Sequence, residues 1–92
     1  MMELKWTSEA LSDLARFYEF LAPVNQEAAA RAVQALTVAP TTLLNNPRIG
    51  EQLFQFEPRK VRRIIVRQYE IRYETQGATI YLLRFWHTRE ER

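Results

Sequence analysis

The sequence predicts an α+β fold in which an N-terminal edge strand and an antiparallel two-helix hairpin pack on a three-stranded antiparallel β-meander. Three observations carry this. Apolar residues recur at helical spacing from about residue 8 to 45, the period changes to two from residue 53 onward, and Asn45-Asn46-Pro47 with Gly50 breaks the chain between the two regimes. At 92 residues there is room for one small core, so residues 1–92 read as a single domain.

Met2-Glu3-Leu4-Lys5-Trp6 alternates apolar and polar side chains, as a half-buried strand does. Thr7 or Ser8 then offers an oxygen to the free amides of a helix start, and Glu9 suits the positive end of the helix dipole. Leu11, Leu14, Ala15, Tyr18, Leu21 and Ala22 form the expected packing stripe of this helix, with Ser12, Asp13, Arg16 and Glu19 in water. Pro23 ends it, because the residue before a proline is pushed out of the helical region. Asn25 can cap a second helix carrying Ala28, Ala29, Ala32, Val33, Leu36 and Ala39, and the short link makes the pair a hairpin. Pro40 predicts a kink or a fresh helical turn that carries Leu43 and Leu44.

Beyond the break, strands are expected over 61–66, 69–74 and 78–86, with Gln76-Gly77 as a tight turn. Ile64 and Val66 share a face with Arg62 and should meet the helices, which leaves Arg63, Ile65 and Arg67 on the open face. In the last strand, alternation puts Ile80, Leu82 and Trp86 on one side and Tyr81, Leu83 and Phe85 on the other, so it should be central or covered. The predicted core is Leu11, Leu14, Tyr18, Val33, Leu36, Ile64, Val66, Ile71, Ile80 and Leu82.

Composition removes several function classes. With no Cys and a single His, disulfides, zinc knuckles, iron–sulfur clusters and thiol catalysis are excluded, and neither metal nor cofactor is expected. No apolar run approaches the ~18 residues of a membrane span, so a cytoplasmic location is expected. The formal charge of +2 is unevenly spread. Residues 1–46 carry three bases and five acids, whereas 59–72 carry six bases (Arg59, Lys60, Arg62, Arg63, Arg67, Arg72) against Glu70 alone. That cluster points to a polyanionic or acidic partner, or to a strand edge decorated with Arg against aggregation.

No phosphate-binding Gly loop, Ser nucleophile elbow or paired-carboxylate spacing is present. What remains is Arg63 with Arg67, then Arg84, His87 and Arg89 at the end of the last strand. A His among arginines could serve as acid or base in phosphodiester cleavage while guanidinium groups stabilise the phosphate, or it could be a plain strand-terminal residue. Phe17, Phe20, Phe54, Phe56, Phe85, Trp6 and Trp86 are too many rings for so small a core, which predicts an apolar groove for a partner.

The order strand, helix hairpin, Asn-Pro-x-x-Gly turn and basic meander ending in a His resembles the ParE/RelE superfamily of type II toxin–antitoxin toxins, and most of all its ParE branch. The resemblance is carried by Lys5-Trp6-Thr7, Ala10, Asp13-Leu14, Asn46-Pro47-Arg48-Ile49-Gly50, Val61-Arg62-Arg63-Ile64-Ile65-Val66, Tyr69-Glu70-Ile71-Arg72-Tyr73 and Leu82-Leu83-Arg84-Phe85-Trp86-His87-Thr88-Arg89. It implies a toxin neutralised by a cognate, ParD-like antitoxin. ParE-like members poison DNA gyrase and are not nucleases, whereas RelE-like members are ribosome-dependent mRNA endoribonucleases; an inert, antitoxin-binding relative is a third reading. Against the nuclease pattern, Ile65 stands where a second basic residue would help and Glu70 where an Arg would be, and no Tyr follows His87. The gyrase reading therefore leads. It makes Arg63, Arg67, Arg84, His87 and Arg89 target-contact candidates and assigns no catalytic residue; the nuclease alternative would use Arg63, His87 and Arg89. Trp6, Phe17, Phe20, Phe54, Phe56 and Trp86 are the antitoxin-contact candidates. Nucleic acid would enter only through the target or the antitoxin complex.

Overall fold

Thr7 explains how the chain leaves its first strand for its first helix. Its Oγ1 accepts from the Ala10 amide at 3.2 Å, capping the helix, and donates to the Leu82 carbonyl at 2.7 Å, tying that helix start to the last strand. In the computed structural model, which describes residues 1–89, the elements are β1 (Glu3–Trp6), α1 (Ser8–Leu21), α2 (Gln26–Val38), a 3-10 helix (Ala39–Leu44), β2 (Glu51–Gln52), a short 3-10 turn (Phe54–Phe56), β3 (Val61–Val66), β4 (Tyr69–Gln76) and β5 (Thr79–His87). Asn25 caps α2 by accepting from the Ala28 amide at 3.0 Å. Pro40 sits in the first turn of the 3-10 helix, which buries Leu43.

The sheet runs β1-β5-β4-β3-β2. The expected meander β3-β4-β5 forms its centre with antiparallel pairing, and β1 extends it by pairing parallel to β5. β5 is thus central. β2, two residues that pair Glu51 with Arg63 and Gln52 with Arg62, was not expected, because two residues are too short to show a period. The last hairpin turns at Gly77 and Ala78, one residue later than Gln76-Gly77.

The core joins Leu14 and Phe17 of α1, Leu36 of α2 and Leu43 to Ile71, Tyr73, Ile80, Leu82 and Phe85 of the sheet. Of the expected core, Leu14, Leu36, Ile71, Ile80 and Leu82 are buried, and Tyr18, Val33, Ile64 and Val66 are half-buried. Leu11 is 54% exposed, which corrects the α1 stripe. The face that α1 buries is Ala10, Asp13, Leu14 and Phe17. The spacing is helical as expected, but the phase differs because a carboxylate, Asp13, faces inward to meet polar groups of β5.

A second correction comes from a bulge. Arg72 pairs with Arg84 and Tyr73 with Leu82, so Leu83 is an extra, unpaired residue of β5. The insertion reverses the alternation beyond it. Phe85, expected opposite Ile80 and Leu82, instead joins them in the core and stacks on Trp6 at 5.2 Å, while Trp86 turns to the open face.

Candidate functional site

The register fixes which face each polar side chain of the meander occupies. Ile64, Ile71 and Phe85 form one cross-strand row under the helices; the adjacent row, Arg63, Arg72 and Arg84, lies on the open face. The next open-face row is Ile65, Glu70 and Trp86. Val66, Tyr69 and His87 form the last row on the helix side.

The open-face cations are bound to carboxylates. Glu70 is fully buried and accepts from Arg63 NH1 at 3.2 Å and Arg72 NH2 at 3.0 Å, while Arg63 also holds Glu51 with Nε and NH2, both at 2.8 Å. The Glu51 hydrogen bond is the main reason the Arg63 guanidinium titrates above its ordinary range. Arg59 grips Glu74 through two bonds, at 2.7 and 3.2 Å, and these hold the Glu74 carboxyl below the usual carboxylate range. Arg72 lies between two rings, its guanidinium 4.4 Å from the Trp86 centroid and 5.4 Å from that of Phe56. Arg84 also leans over Trp86 and then reaches around the sheet edge to Asp13 at 2.8 Å.

His87, Arg89 and Arg67 lie elsewhere. His87 stands edge-on to Tyr69 at 5.3 Å and contacts Gln68 through Nε2 at 3.2 Å, and the Arg89 amide donates to its Nδ1. Arg67 opens the two-residue turn between β3 and β4 at φ 57°, the left-handed region in which a side chain is strained. With Arg16, Phe17, Phe20 and Leu21 of α1, the residues Gln68, Tyr69, His87 and Arg89 line a cleft of about 620 Å³ at this end of the sheet.

The target-contact candidates are therefore split. Arg63 and Arg84 belong to ion pairs on the open face or its rim, while His87 and Arg89 come together in the cleft beside α1 and Arg67 lies in the β3–β4 turn, outside the cleft lining. Arg63 and His87 project from opposite faces, so the three residues a nuclease would use are not brought to one place. The aromatic candidates are split as well. Trp6 is stacked in the core, Phe17 is buried against Tyr69 at 5.0 Å, and Phe56 and Trp86 enclose Arg72 on the open face. Phe20 and Phe54 are exposed, and of these two it is Phe20 that, with Phe17, lines the cleft. Sequence reasoning missed Arg16, Leu21, Gln68 and Tyr69 as parts of that cleft, because no local pattern shows which end of the sheet α1 packs against. Among the described residues no group of three His, Asp or Glu side chains could hold a metal ion, and no helix is long and apolar enough to cross a membrane.

Comparisons with known proteins agree with this architecture. No curated protein sequence matches the chain. A solved structure titled "Chromosomal ParDE TA system from P. aeruginosa" is similar with a TM-score of 0.80 and 27% identity, over 95% of this chain and 96% of that one. The family model described as the ParE toxin of the type II toxin–antitoxin system parDE matches residues 4–92. The chain belongs to the ParE toxin family.

Proposed function

We propose that this toxin arrests growth by binding DNA gyrase, without cleaving a substrate of its own, and that a cognate ParD-like antitoxin neutralises it. One observation carries the reading: each open-face arginine that could stabilise a phosphate already spends its charge on a carboxylate. A guanidinium held by the buried Glu70 and by the exposed Glu51 must give up those contacts before it can meet the developing charge of a phosphoryl transition state. The same carboxylates repel a ribose-phosphate backbone. A protein target asks for no such cation, only for a shaped, partly apolar and basic surface.

The cleft at the end of the sheet is that surface. Phe20 supplies exposed apolar area, His87 and Arg89 supply charge and hydrogen bonds around it, and Arg67 adds charge from the neighbouring turn. Because Phe20 is an antitoxin-contact candidate and His87 and Arg89 are target-contact candidates, an antitoxin segment seated on Phe20 would cover the target surface, and neutralisation follows from competition for one site. Expression of the chain without antitoxin tests the reading. Gyrase-linked double-strand breaks in plasmid DNA support it, mRNA cut at ribosomal A-sites would replace it with the endoribonuclease, and undisturbed growth would reduce the chain to an antitoxin-binding relative.

A further inference from the structure

The opposite end of the sheet holds a second built site, independent of the first. There a cleft of about 540 Å³ lies beside the β4–β5 turn, and its lining includes Pro47, Arg48, Gln52, Lys60, Arg62 and Thr75. One wall is the loop 45–50, fastened from below by Tyr73. The buried phenol donates to the Pro47 carbonyl at 2.8 Å and accepts from the Gly50 amide at 3.0 Å. Arg62 fastens the loop from the side, its NH1 donating to the Gly50 carbonyl at 2.8 Å and to that of Arg48 at 3.3 Å. Arg62 is thus a fixed cation. Arg48 and Lys60 are exposed on either side of it.

Three cations line this cleft and, among the described residues, no carboxylate does. Of the acids near it, Glu51 is held by Arg63, Glu74 by Arg59 and Gln76, and Glu3 follows the lining residue Met2 on β1. Unlike the open-face cluster, the described lining offers these cations no carboxylate partner. Among the described residues no aromatic ring lines the cleft, which leaves no platform there for the base stacking on which single-stranded nucleic acid binding relies. The Gln52 amide and the Thr75 hydroxyl are instead suited to the backbone groups of a peptide.

We propose that this cleft binds an extended acidic peptide segment, with two or three of its carboxylates meeting Arg48, Lys60 and Arg62. The test uses the full chain, labelled for backbone-amide NMR, with hexaglutamate as the probe and hexathymidylate as its nucleic-acid counterpart. Hexaglutamate should bind saturably and shift the amides of Gln52, Lys60, Thr75 and Gly77. The double variant Arg48→Glu/Lys60→Glu should weaken it at least tenfold while leaving the melting temperature unchanged. Should that reversal disturb folding, Arg48→Gln/Lys60→Gln carries the same test. Absence of saturable shifts, undiminished binding by the folded variant, or tighter binding of hexathymidylate at the same amides would overturn the proposal.

Discussion

Asp13 of α1 holds Arg84 of β5 through a two-point contact, Nε to Oδ2 at 2.8 Å and NH2 to Oδ1 at 3.1 Å. Oδ2 also accepts from the Phe85 amide at 2.9 Å, where β5 has run past the end of β1 and would otherwise show a bare edge. One carboxylate therefore closes the sheet edge, docks the helix and sets the position of an arginine that leans on Trp86. Removing it leaves a buried N–H without a partner, a loss of roughly 1 to 3 kcal/mol. Asp13→Ala should lower the melting temperature by about 10 °C, at the ~4 to 8 °C per kcal/mol usual for domains of this size. Leu11→Ala, on the exposed side of the helix, should change the stability by no more than ~0.5 kcal/mol. Circular dichroism melts of the two variants check both.

The pair also shows where the sequence was legible and where it was not. Helix starts were readable because Thr7 and Asn25 act through local hydrogen bonds, and the new turn at Pro40 because proline acts through local sterics; Pro23 acts otherwise than expected, since Ala22 before it keeps helical angles (φ −59°, ψ −40°) and its amide still donates to the Tyr18 carbonyl. The meander was readable because its alternation runs over six or more residues. The phase of α1 was not, since a carboxylate was assigned to water and its partners lie some seventy residues away. The faces of Phe85 and Trp86 were not either: Leu83 looks like any strand residue, and only the pairing of Arg72 with Arg84 and Tyr73 with Leu82 reveals it as an insertion. At the site, the basic residues were visible but their neutralisation was not, because Glu51, Glu70 and Glu74 approach them only through β-sheet register.

Gly50 is required by contact more than by conformation. A Cβ at this position would lie 2.6 Å from Tyr73 Oη and 2.7 Å from the Arg63 carbonyl, so the loop 45–50 would have to lift. Gly50→Ala should destabilise the protein by about 1 to 3 kcal/mol. Tyr73→Phe removes the same anchor without a clash and should cost ~1 kcal/mol or more, because the Gly50 amide loses its acceptor. Urea denaturation with unchanged m-values would confirm that both act on the native state.

Stability should fall at both pH extremes for separable reasons. Arg59 holds the Glu74 carboxyl below its unfolded value, so its contribution is present above the unfolded pKa and is lost as pH falls through the folded one. Burial raises the Tyr73 phenol, so its contribution is present below the ordinary tyrosine value of about 10 and is lost as pH rises through the folded pKa. Glu74→Gln should therefore flatten the acid limb of a stability profile and leave the alkaline limb, and Tyr73→Phe should do the reverse.

Arg67 occupies a backbone conformation that glycine adopts freely. Arg67→Gly should leave the stability unchanged or raise it by up to ~1 kcal/mol, while weakening growth arrest, since it deletes a cation from the turn next to the cleft. Loss of both stability and arrest would assign Arg67 a structural role instead.

Competition for one cleft predicts that Phe20→Asp weakens antitoxin binding by at least about tenfold, or ~1.4 kcal/mol, with the melting temperature unchanged because Phe20 is 79% exposed. Isothermal titration with the antitoxin measures it. Unaltered affinity would place the antitoxin elsewhere.

The central claim is inhibition by contact, and its most direct measurement is the supercoiling of plasmid DNA by purified gyrase, titrated with the wild-type chain and with His87→Ala. Protein-linked linear DNA is expected with both, at concentrations within a few-fold of each other, because no proton transfer is asked of His87. Intact gyrase activity, together with mRNA cleavage on ribosomes that His87→Ala reduces by the ~100-fold expected of a lost acid–base group, would contradict it.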